Sequence, residues 1–267
     1  MGVAVAVSRK IDKKLERRQK RYETERLMKV KRSEDYDVLE EVFDKPTLMV
    51  VYDLLNQGII KEIFGVIKSG KESRIYGGIG SDEERIAIKI YLITSSEFKS
   101  GMIPYIEGDP RFKVVKRDRT SLIYMWAQKE FKNLLKAHES GVRVPRPIHV
   151  KKNVLVMEFL GDDDAPAPTL KEKPPKNPSR MYKTLLEYVR LLYKKAKLVH
   201  ADLSEYNIMS LGDSPVIFDM SQSVSIEHPN AEQFLLRDLN SLNKFFEKLG
   251  VKVKKPEALY KLVTKDE

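Results

Sequence analysis

The chain has 267 residues, of which 42% are hydrophobic and 33% charged, and its formal net charge is +10. This length and composition fit a globular protein with room for two lobes around a cleft, and no apolar run approaches the roughly 20 residues that a membrane-spanning helix needs. The absence of cysteine excludes disulfides and thiolate metal sites, so we expect a cytoplasmic protein with no membrane partner.

The positive charge is concentrated at the N-terminus. Residues 1–32 contain 12 Lys and Arg against 4 Asp and Glu, a surplus of 12 − 4 = +8, which leaves +2 for the remaining chain. A basic arm of this kind suits the phosphate backbone of a nucleic acid, although a solvated tail is an equally simple interpretation. We therefore predict that residues 1–34 form a basic extension, with RNA as its candidate partner.

The folded part is predicted to begin with helices and a β-hairpin. Two short amphipathic stretches run from Asp35 to Gly58 and are separated at Pro46. The next segment, residues 65–72, fits the first seven positions of the phosphate-binding pattern G-x4-G-K, but Glu72 replaces the Ser or Thr that would reach magnesium. We predict instead a hairpin turn whose backbone N–H groups and hydroxyls cover phosphates, formed by Ser69, Gly70, Lys71 and Ser73.

A lysine follows on the next predicted strand. Ile86, Ile88 and Ile90 alternate along this strand, and Lys89 is its single charge. In a kinase such a lysine holds the α- and β-phosphates of ATP and is fixed by a helical carboxylate, for which Glu130 in the helical run 121–140 is the candidate. The alternative is an edge-strand lysine that discourages aggregation.

A long polar insertion, residues 101–119, separates that strand from the Glu130 helix. Loops of this length are usually functional or disordered. We expect it to be mobile, with Arg111, Lys113 and Lys116 facing a substrate or RNA.

The next segment has the features of a kinase hinge. Residues 148–160 predict a hairpin that turns at residues 151–153, and backbone groups of Glu158 and Leu160 would then bind the edge of an adenine. An ordinary buried strand explains this segment equally well. Beyond it we predict a loop over residues 162–178, a helix from Pro178, a long helix from Asn230 to Gly250 and a short closing helix at Pro256.

The most informative motif is His200-Ala-Asp202-x4-Asn207, with Asp219 twelve positions after Asn207. Phosphoryl transfer uses one Asp to orient the accepting hydroxyl and take its proton, while an Asn and a further Asp hold divalent ions. The alternative is a polar turn with a satisfied core histidine. That alternative leaves Asp219 unexplained, because this residue lies in the apolar run 216–220, where an unpaired charge would be costly.

Taken in order, these segments resemble the RIO family of atypical protein kinases, most closely its type-one subfamily. The resemblance rests on four motifs and runs from about Glu40 to the C-terminus: Gly70-Lys71-Glu72-Ser73-x-x-Tyr76, Trp126-Ala127-x-Lys129-Glu130-Phe131-x-Asn133-Leu134, Leu198-Val199-His200-Ala201-Asp202-Leu203-Ser204-Glu205-Tyr206-Asn207 and Asp219-Met220-Ser221-Gln222-Ser223.

The resemblance implies an α+β, two-lobed protein-kinase-like fold, the RIO domain. A β-rich N-lobe with extra helices in front would occupy residues 35–160, and a helical C-lobe residues 161–267. It also implies ATP with Mg²⁺ or Mn²⁺, serine-directed phosphorylation, and a role in maturing the small ribosomal subunit, which makes the pre-ribosomal small subunit and its rRNA the expected partners.

The same resemblance assigns roles at matching positions. Lys89 and Leu160 would contact ATP, Asp202 would accept the proton, and Asn207 and Asp219 would bind metal. Lys89, Asp202 and Asp219 are therefore the expected catalytic residues.

Two departures from ordinary protein kinases leave the reaction open. Ser204 stands where a Lys would steady the γ-phosphate, and no Phe-Gly follows Asp219 and no Ala-Pro-Glu appears further on, so the activation loop and the peptide-binding shelf are missing. The missing segments favour a switch driven by ATP hydrolysis over phosphoryl transfer to a protein serine. Such a switch could include transient phosphorylation of Asp219. The motifs also leave room for a small-molecule kinase of the aminoglycoside or choline type, and for a non-catalytic RNA-binding scaffold with structural ATP.

Overall fold

The computed structural model describes residues 43–93, 101–112, 118–162 and 165–265. The predicted basic extension and residues 35–42 of the first amphipathic stretch lie outside the described residues, as do Lys113 and Lys116. The predictions for those segments therefore stay predictions.

The first half of the described chain forms an antiparallel sheet. A helix, α1 (Lys45–Asn56), precedes it, with Pro46 in the first turn, where a missing N–H costs nothing. The strands follow the order β1-β2-β3-β5-β4, with bounds β1 (Ile60–Ser69), β2 (Ser73–Gly80), β3 (Arg85–Tyr91), β4 (Pro147–Lys151) and β5 (Val154–Glu158).

Strand β3 lies at the centre of this sheet. It pairs with β2 on one side and β5 on the other, and all its residues except Arg85 are buried. This burial places the single charge of Lys89 in the interior, so the edge-strand interpretation of this lysine is wrong. The predicted hairpin at residues 151–153 is also present, with Lys152 in the left-handed conformation at φ 52°.

Helix α2 (Arg119–Glu139) packs against strands β4 and β5. It begins at Asp118, whose side chain caps it by accepting from the Ser121 N–H at 2.9 Å. Its buried face joins Tyr91 of β3 and residues 101–112 in one apolar cluster that includes Met102, Ile106 and Trp126.

The insertion departs from its prediction. Residues 101–112 have defined structure, with a 3₁₀ turn at Ile103–Tyr105, and Met102 and Ile106 are buried. Two apolar residues four positions apart, Met102 and Ile106, anchor this polar segment in the core. Residues 101–112 therefore form short helical turns where a loop was predicted, while their mobility stays a prediction.

The second half of the chain is mainly helical, as predicted. Helix α3 (Pro178–Leu191) runs into a π-turn (Leu192–Ala196), and α4 (Ala231–Lys248) and α5 (Pro256–Thr264) follow after short strands. Asn230 occupies the N-cap of α4, although its side chain makes no capping hydrogen bond. The strands form two small sheets, β6 (Leu198–Val199) with β9 (Val224–Ser225), and β7 (Ile208–Leu211) with β8 (Ser214–Ile217).

The arrangement is α+β, with a β-rich N-lobe and a helical C-lobe, which confirms the predicted fold class. Within the described ranges, no helix has the length and apolar character needed to cross a bilayer.

Candidate active site

The amine of Lys89 lies between two carboxylates from distant parts of the chain. Its Nζ donates to Glu130 Oε1 at 2.8 Å and to Asp219 Oδ1 at 3.0 Å. Strand β3 supplies the lysine, α2 supplies Glu130, and Asp219 follows the end of β8 by two residues. The structure thus brings together three side chains that the sequence separates by up to 130 positions. Their roles in catalysis remain predictions.

The electrostatic interactions within this triad favour the ionised forms of Lys89 and Asp219. Burial alone would lower the pKa of Lys89, but the Asp219 and Glu130 carboxylates outweigh burial and raise it. Burial opposes ionisation of Asp219 too, yet Lys89 and the Ser221 hydroxyl, which donates to Oδ1 at 2.8 Å, hold the pKa of Asp219 at about 2. The Asp219 side chain is 41% exposed, against 6% for Lys89. Asp219 is therefore the more accessible member of this pair, although Lys89 also lines the cavity described below.

Glu130 is the buried anchor of the triad. Burial raises the pKa of Glu130 although Lys89 opposes the shift. The Tyr91 hydroxyl donates a short hydrogen bond to Glu130 Oε2, so both carboxylate oxygens have donors. We did not predict a role for Tyr91. Tyr91 is the last residue of the Lys89 strand. Because Lys89 lies two positions earlier, both side chains point to the same face of the sheet.

The glycine turn covers the charged end of a cleft. Gly70 N–H donates to Ser73 O at 2.9 Å and closes the turn between β1 and β2. A Cβ on Gly70 would lie 3.2 Å from that oxygen, so a larger residue would crowd the turn. The turn roofs a cavity of about 230 Å³ whose lining includes Gly70, Lys71, Glu72, Ser73, Lys89, Glu130 and Asp219.

Two residues of the turn differ from the expectation. Ser69 pairs with Arg74 in the β1–β2 ladder and is absent from the cavity lining. Glu72 does line it, and burial together with the charge of Asp219 raises the pKa of Glu72. The turn therefore presents a carboxylate, as well as Lys71, to the space beside Lys89.

A second, apolar cavity of about 280 Å³ adjoins the first. The two share the lining residues Lys68, Ile75, Met157 and Phe218. Glu158 and Leu160, which were predicted to form the hinge, line the apolar cavity, and their contact with an adenine stays a prediction. The Glu158 N–H already donates to Arg146 O at 2.9 Å. The predicted hydrogen bond from the Glu158 backbone to adenine must therefore use its carbonyl oxygen.

The hinge is braced by an ion pair that the sequence did not reveal. Arg143 donates to Glu158 Oε2 at 2.8 Å and to Oε1 at 2.5 Å, and Arg146 N–H adds a bond of 3.0 Å to Oε2. Burial opposes ionisation of Glu158, but Arg143 and Arg146 outweigh it and lower the pKa of Glu158. The Glu158 side chain is thus engaged by the protein itself.

The loop between β6 and β7 carries Asp202 and Asn207 side by side. Asn207 Nδ2 donates to Asp202 O at 2.8 Å and to Asp202 Oδ2 at 2.9 Å. Burial and the charge of Asp219 raise the pKa of Asp202, while the bond from Asn207 opposes the shift. Neither residue lines the two cavities. They are linked to the triad by the charge of Asp219 and by the bond from Phe218 N–H to Asn207 O at 3.0 Å.

Two buried groups shape this loop. His200 contacts Phe218 O at 3.2 Å, and burial lowers the pKa of His200 to about 4, so the ring is neutral near pH 7. Asp238 of α4 accepts from Ala201 N at 2.8 Å and Leu203 N at 2.9 Å. Ala201 has φ 67°, a left-handed conformation that a non-glycine residue keeps only when its surroundings impose it. We did not predict the part played by Asp238, which looked like one polar position of an amphipathic helix.

The segment after Asp219 is tied to α2. Lys129 Nζ donates to Ser221 O at 2.7 Å and to Ser223 O at 2.6 Å. Asn133 Nδ2 donates to Met220 O at 2.8 Å and to Ser223 O at 3.1 Å. The carbonyl groups of Met220, Ser221 and Ser223 therefore face the helix that supplies Glu130.

The oxygen donors fit a hard divalent cation. Within the described ranges no group of three or more His, Cys, Asp or Glu side chains could hold a metal by itself. Mg²⁺ commonly binds one or two protein carboxylates and completes its octahedron with water and substrate phosphates. Asp219 and the amide oxygen of Asn207 would supply protein ligands of this kind.

A two-lobed α+β fold with a strand lysine paired to a helical carboxylate, and a second carboxylate across the cleft, defines the protein-kinase class. The RIO domain model, RIO1, matches residues 74–259. The chain therefore belongs to the RIO family, and the resemblance found in its motifs is confirmed.

Its relatives are named RIO kinases. The chain is 41% identical over 254 residues to the RIO-type serine/threonine-protein kinase Rio1 of Haloferax volcanii, covering 95% of this chain and 87% of that protein. Identity to Rio1 of Methanocaldococcus jannaschii is 39%, over 86% and 78% of the two chains. Human RIO1 is 37% identical over 89% of this chain, which spans 42% of the human protein.

A solved structure shares the fold. The Rio2 kinase–ADP/Mg²⁺–phosphoaspartate complex from Chaetomium thermophilum has a TM-score of 0.60 and 25% identity, and the match covers 81% of this chain and 66% of that one.

Proposed function

We propose that this protein is an ATP-dependent atypical serine/threonine kinase that also hydrolyses ATP, with Mg²⁺ as its metal ion and Mn²⁺ as a substitute. The observation that carries the proposal is the pair of bonds from the buried Lys89 to Glu130 and Asp219 at the charged end of a two-part cleft. The apolar part suits an adenine, and the charged part suits the phosphates.

Each part of the cleft has a separate task in the proposed reaction. Adenine enters the apolar cavity against the hinge at Leu160, and the Gly70–Ser73 turn covers the phosphates. Lys89 holds the α- and β-phosphate oxygens, and Asp219 with Asn207 holds the metal ion that neutralises their charge. Asp202 accepts the proton of the attacking hydroxyl while that oxygen bonds to the γ-phosphorus and ADP leaves.

The acceptor of the phosphoryl group can be a serine, water or the Asp219 carboxylate. Three features favour a nucleotide-operated switch: Ser204 in place of a lysine, the missing activation segment and the 41% exposure of Asp219. If an Asp219 oxygen attacks the γ-phosphorus, ADP leaves, and water then cleaves the acyl phosphate to restore the carboxylate and release inorganic phosphate. The phosphoaspartate named in the Rio2 complex supports this route by analogy.

The test compares ATP hydrolysis without an acceptor to phosphoryl transfer onto a generic basic protein. Wild type, Asp202→Ala and Asp219→Ala are measured at saturating ATP and Mg²⁺. We expect both variants to lose turnover and Asp202→Ala to keep nucleotide binding. Wild-type protein that binds ATP with no turnover under either condition would contradict the enzyme proposal and favour a scaffold.

We further propose that the protein acts on small-ribosomal-subunit precursors and contacts their rRNA through residues 1–32. The support is the surplus of +8 charges in that segment together with the family membership. Removing residues 1–32 is expected to weaken binding to RNA of any sequence and to flatten its salt dependence. Equal binding by the full and shortened chains at low salt would exclude the arm as the RNA contact.

A further inference from the structure

The insertion before α2 carries a buried ion pair. The Asp109 side chain is fully buried and accepts from Arg111 Nε at 2.8 Å, from Arg111 Nη2 at 2.6 Å and from the Arg111 N–H at 3.1 Å. A fourth bond, 3.2 Å long, comes from the N–H of Ser225 in β9. Arg111 was expected to face a substrate or RNA, and that prediction is wrong, because its guanidinium is engaged inside the protein.

The other side of the same guanidinium reaches the loop behind Asp219. Arg111 Nη1 donates to Asn133 Oδ1 at 2.7 Å, and Nη2 donates to Ser223 O at 3.1 Å. The bond to Oδ1 directs the Asn133 amide nitrogen toward Met220 O and Ser223 O, to which it donates. A planar fork with several fixed donors is suited to holding one carboxylate, one amide and one carbonyl at once.

Asp219 depends on such support. Its φ is 57°, a left-handed conformation that a non-glycine residue adopts at a cost and keeps only when its neighbours impose it. Only eleven residues separate Asp219 from the start of α4, so the long activation segment of an ordinary kinase is not there to hold this loop. The contacts from α2 and from residues 109–111 are made to the backbone immediately after the strained residue.

We propose that Arg111, held by Asp109, is a positioning residue for Asp219. The insertion 101–112 fixes residues 219–223 in the conformation that presents the Asp219 carboxylate to a metal–nucleotide complex. The inference rests on the proposed function, because it takes Asp219 as the metal ligand. It predicts that the Arg111 contacts govern how much the metal ion strengthens nucleotide binding, since groups that orient a metal ligand strongly affect metal affinity.

The experiment measures ADP affinity by calorimetry, with and without Mg²⁺, for wild type, Arg111→Ala and Arg111→Lys. Arg180→Ala is the matched control, because Arg180 is exposed on α3. In Arg111→Ala we expect the tightening of ADP binding by Mg²⁺ to fall about tenfold, while metal-free ADP affinity stays near the wild-type value. Arg111→Lys should be intermediate, since a lysine keeps the charge but not the fork, and Arg180→Ala should match wild type.

Arg111→Ala leaves the buried Asp109 carboxylate without its cation, which can prevent folding. The double variant Asp109→Asn/Arg111→Met removes both charges and is expected to fold and to show the same loss of metal enhancement. The positioning role is refuted if either folded variant keeps the full Mg²⁺ enhancement of ADP binding. It is also refuted if ADP affinity without Mg²⁺ falls as much as ADP affinity with Mg²⁺. If wild type itself shows no Mg²⁺ enhancement, or Asp219→Ala keeps it, the proposed function fails and this inference falls with it.

Discussion

Replacing Lys89 by Met is the sharpest test of how the triad is held together. The change removes the amine that donates to Glu130 and Asp219 but leaves a side chain of similar length. The Lys89 and Glu130 side chains are 6% and 1% exposed, so water cannot replace the lost partner of Glu130. Removing one member of a buried ion pair costs about 3–5 kcal/mol of unfolding free energy, and we expect a loss in that range at neutral pH.

The pH dependence of this loss has a defined sign. Burial already raises the pKa of Glu130, and without Lys89 it rises further. A carboxyl group whose pKa is higher in the folded than in the unfolded state contributes stability below its unfolded pKa and loses that contribution as pH rises through the folded pKa. The gap in stability between wild type and Lys89→Met should therefore widen as pH increases above the pKa of an unfolded glutamate.

The assay is urea unfolding followed by circular dichroism, with no nucleotide present. The double variant Lys89→Met/Glu130→Gln is the decisive control, because it removes the unpaired charge and keeps an acceptor for the Tyr91 hydroxyl. We expect it to recover at least about 2 kcal/mol of the stability lost in Lys89→Met, since no uncompensated buried charge remains. A single variant within about 1 kcal/mol of wild type, or a double variant no more stable than the single, would refute the reasoning.

Three further outcomes follow from the site. Asp202→Asn should lower ATP turnover by about 10²–10⁴-fold, the usual range for loss of a general base, while calorimetry shows nucleotide affinity little changed. The hydrogen bond from Asn207 keeps the pKa of Asp202 from rising further. Asn207→Ala should therefore move the acidic limb of the pH–rate profile to higher pH, and an unchanged acidic limb would contradict this expectation. Burial raises the pKa of Asp238 to about 7, so the contribution of Asp238 to stability should fall as pH rises from the pKa of an unfolded aspartate toward 7, and Asp238→Asn should remove that contribution from the pH dependence measured by urea unfolding.

The elements and the core of the site could be predicted because their signals are local. Apolar spacing identified the Lys89 strand and the helix that carries Glu130, and glycine and proline marked the ends of other helices. The spacing of Asp202 and Asn207 placed both on one loop. Each of these inferences uses residues within one or two turns of chain, where backbone geometry alone decides which side chains are neighbours.

The supports of the site could not be predicted in the same way. Lys129 and Asp238 occupy polar positions of amphipathic helices and yet are buried. Arg143 and Arg111 are indistinguishable in sequence from exposed basic residues. Their partners lie far along the chain, up to 112 positions away for Arg111 and Ser223, and hydrogen-bond partnership depends on distances of about 3 Å that no spacing rule specifies.

The sequence by itself determined the family, the order of the strands and helices, and the lysine, carboxylates and asparagine that mark a phosphotransferase. Only the tertiary structure decided that the polar insertion is an internal brace with an ion pair behind Asp219, and that Glu158 is engaged by Arg143. The physical reason is that a charged side chain carries the same composition signal whether it is solvated or paired, while its energy depends on burial and on the partner that folding brings within reach.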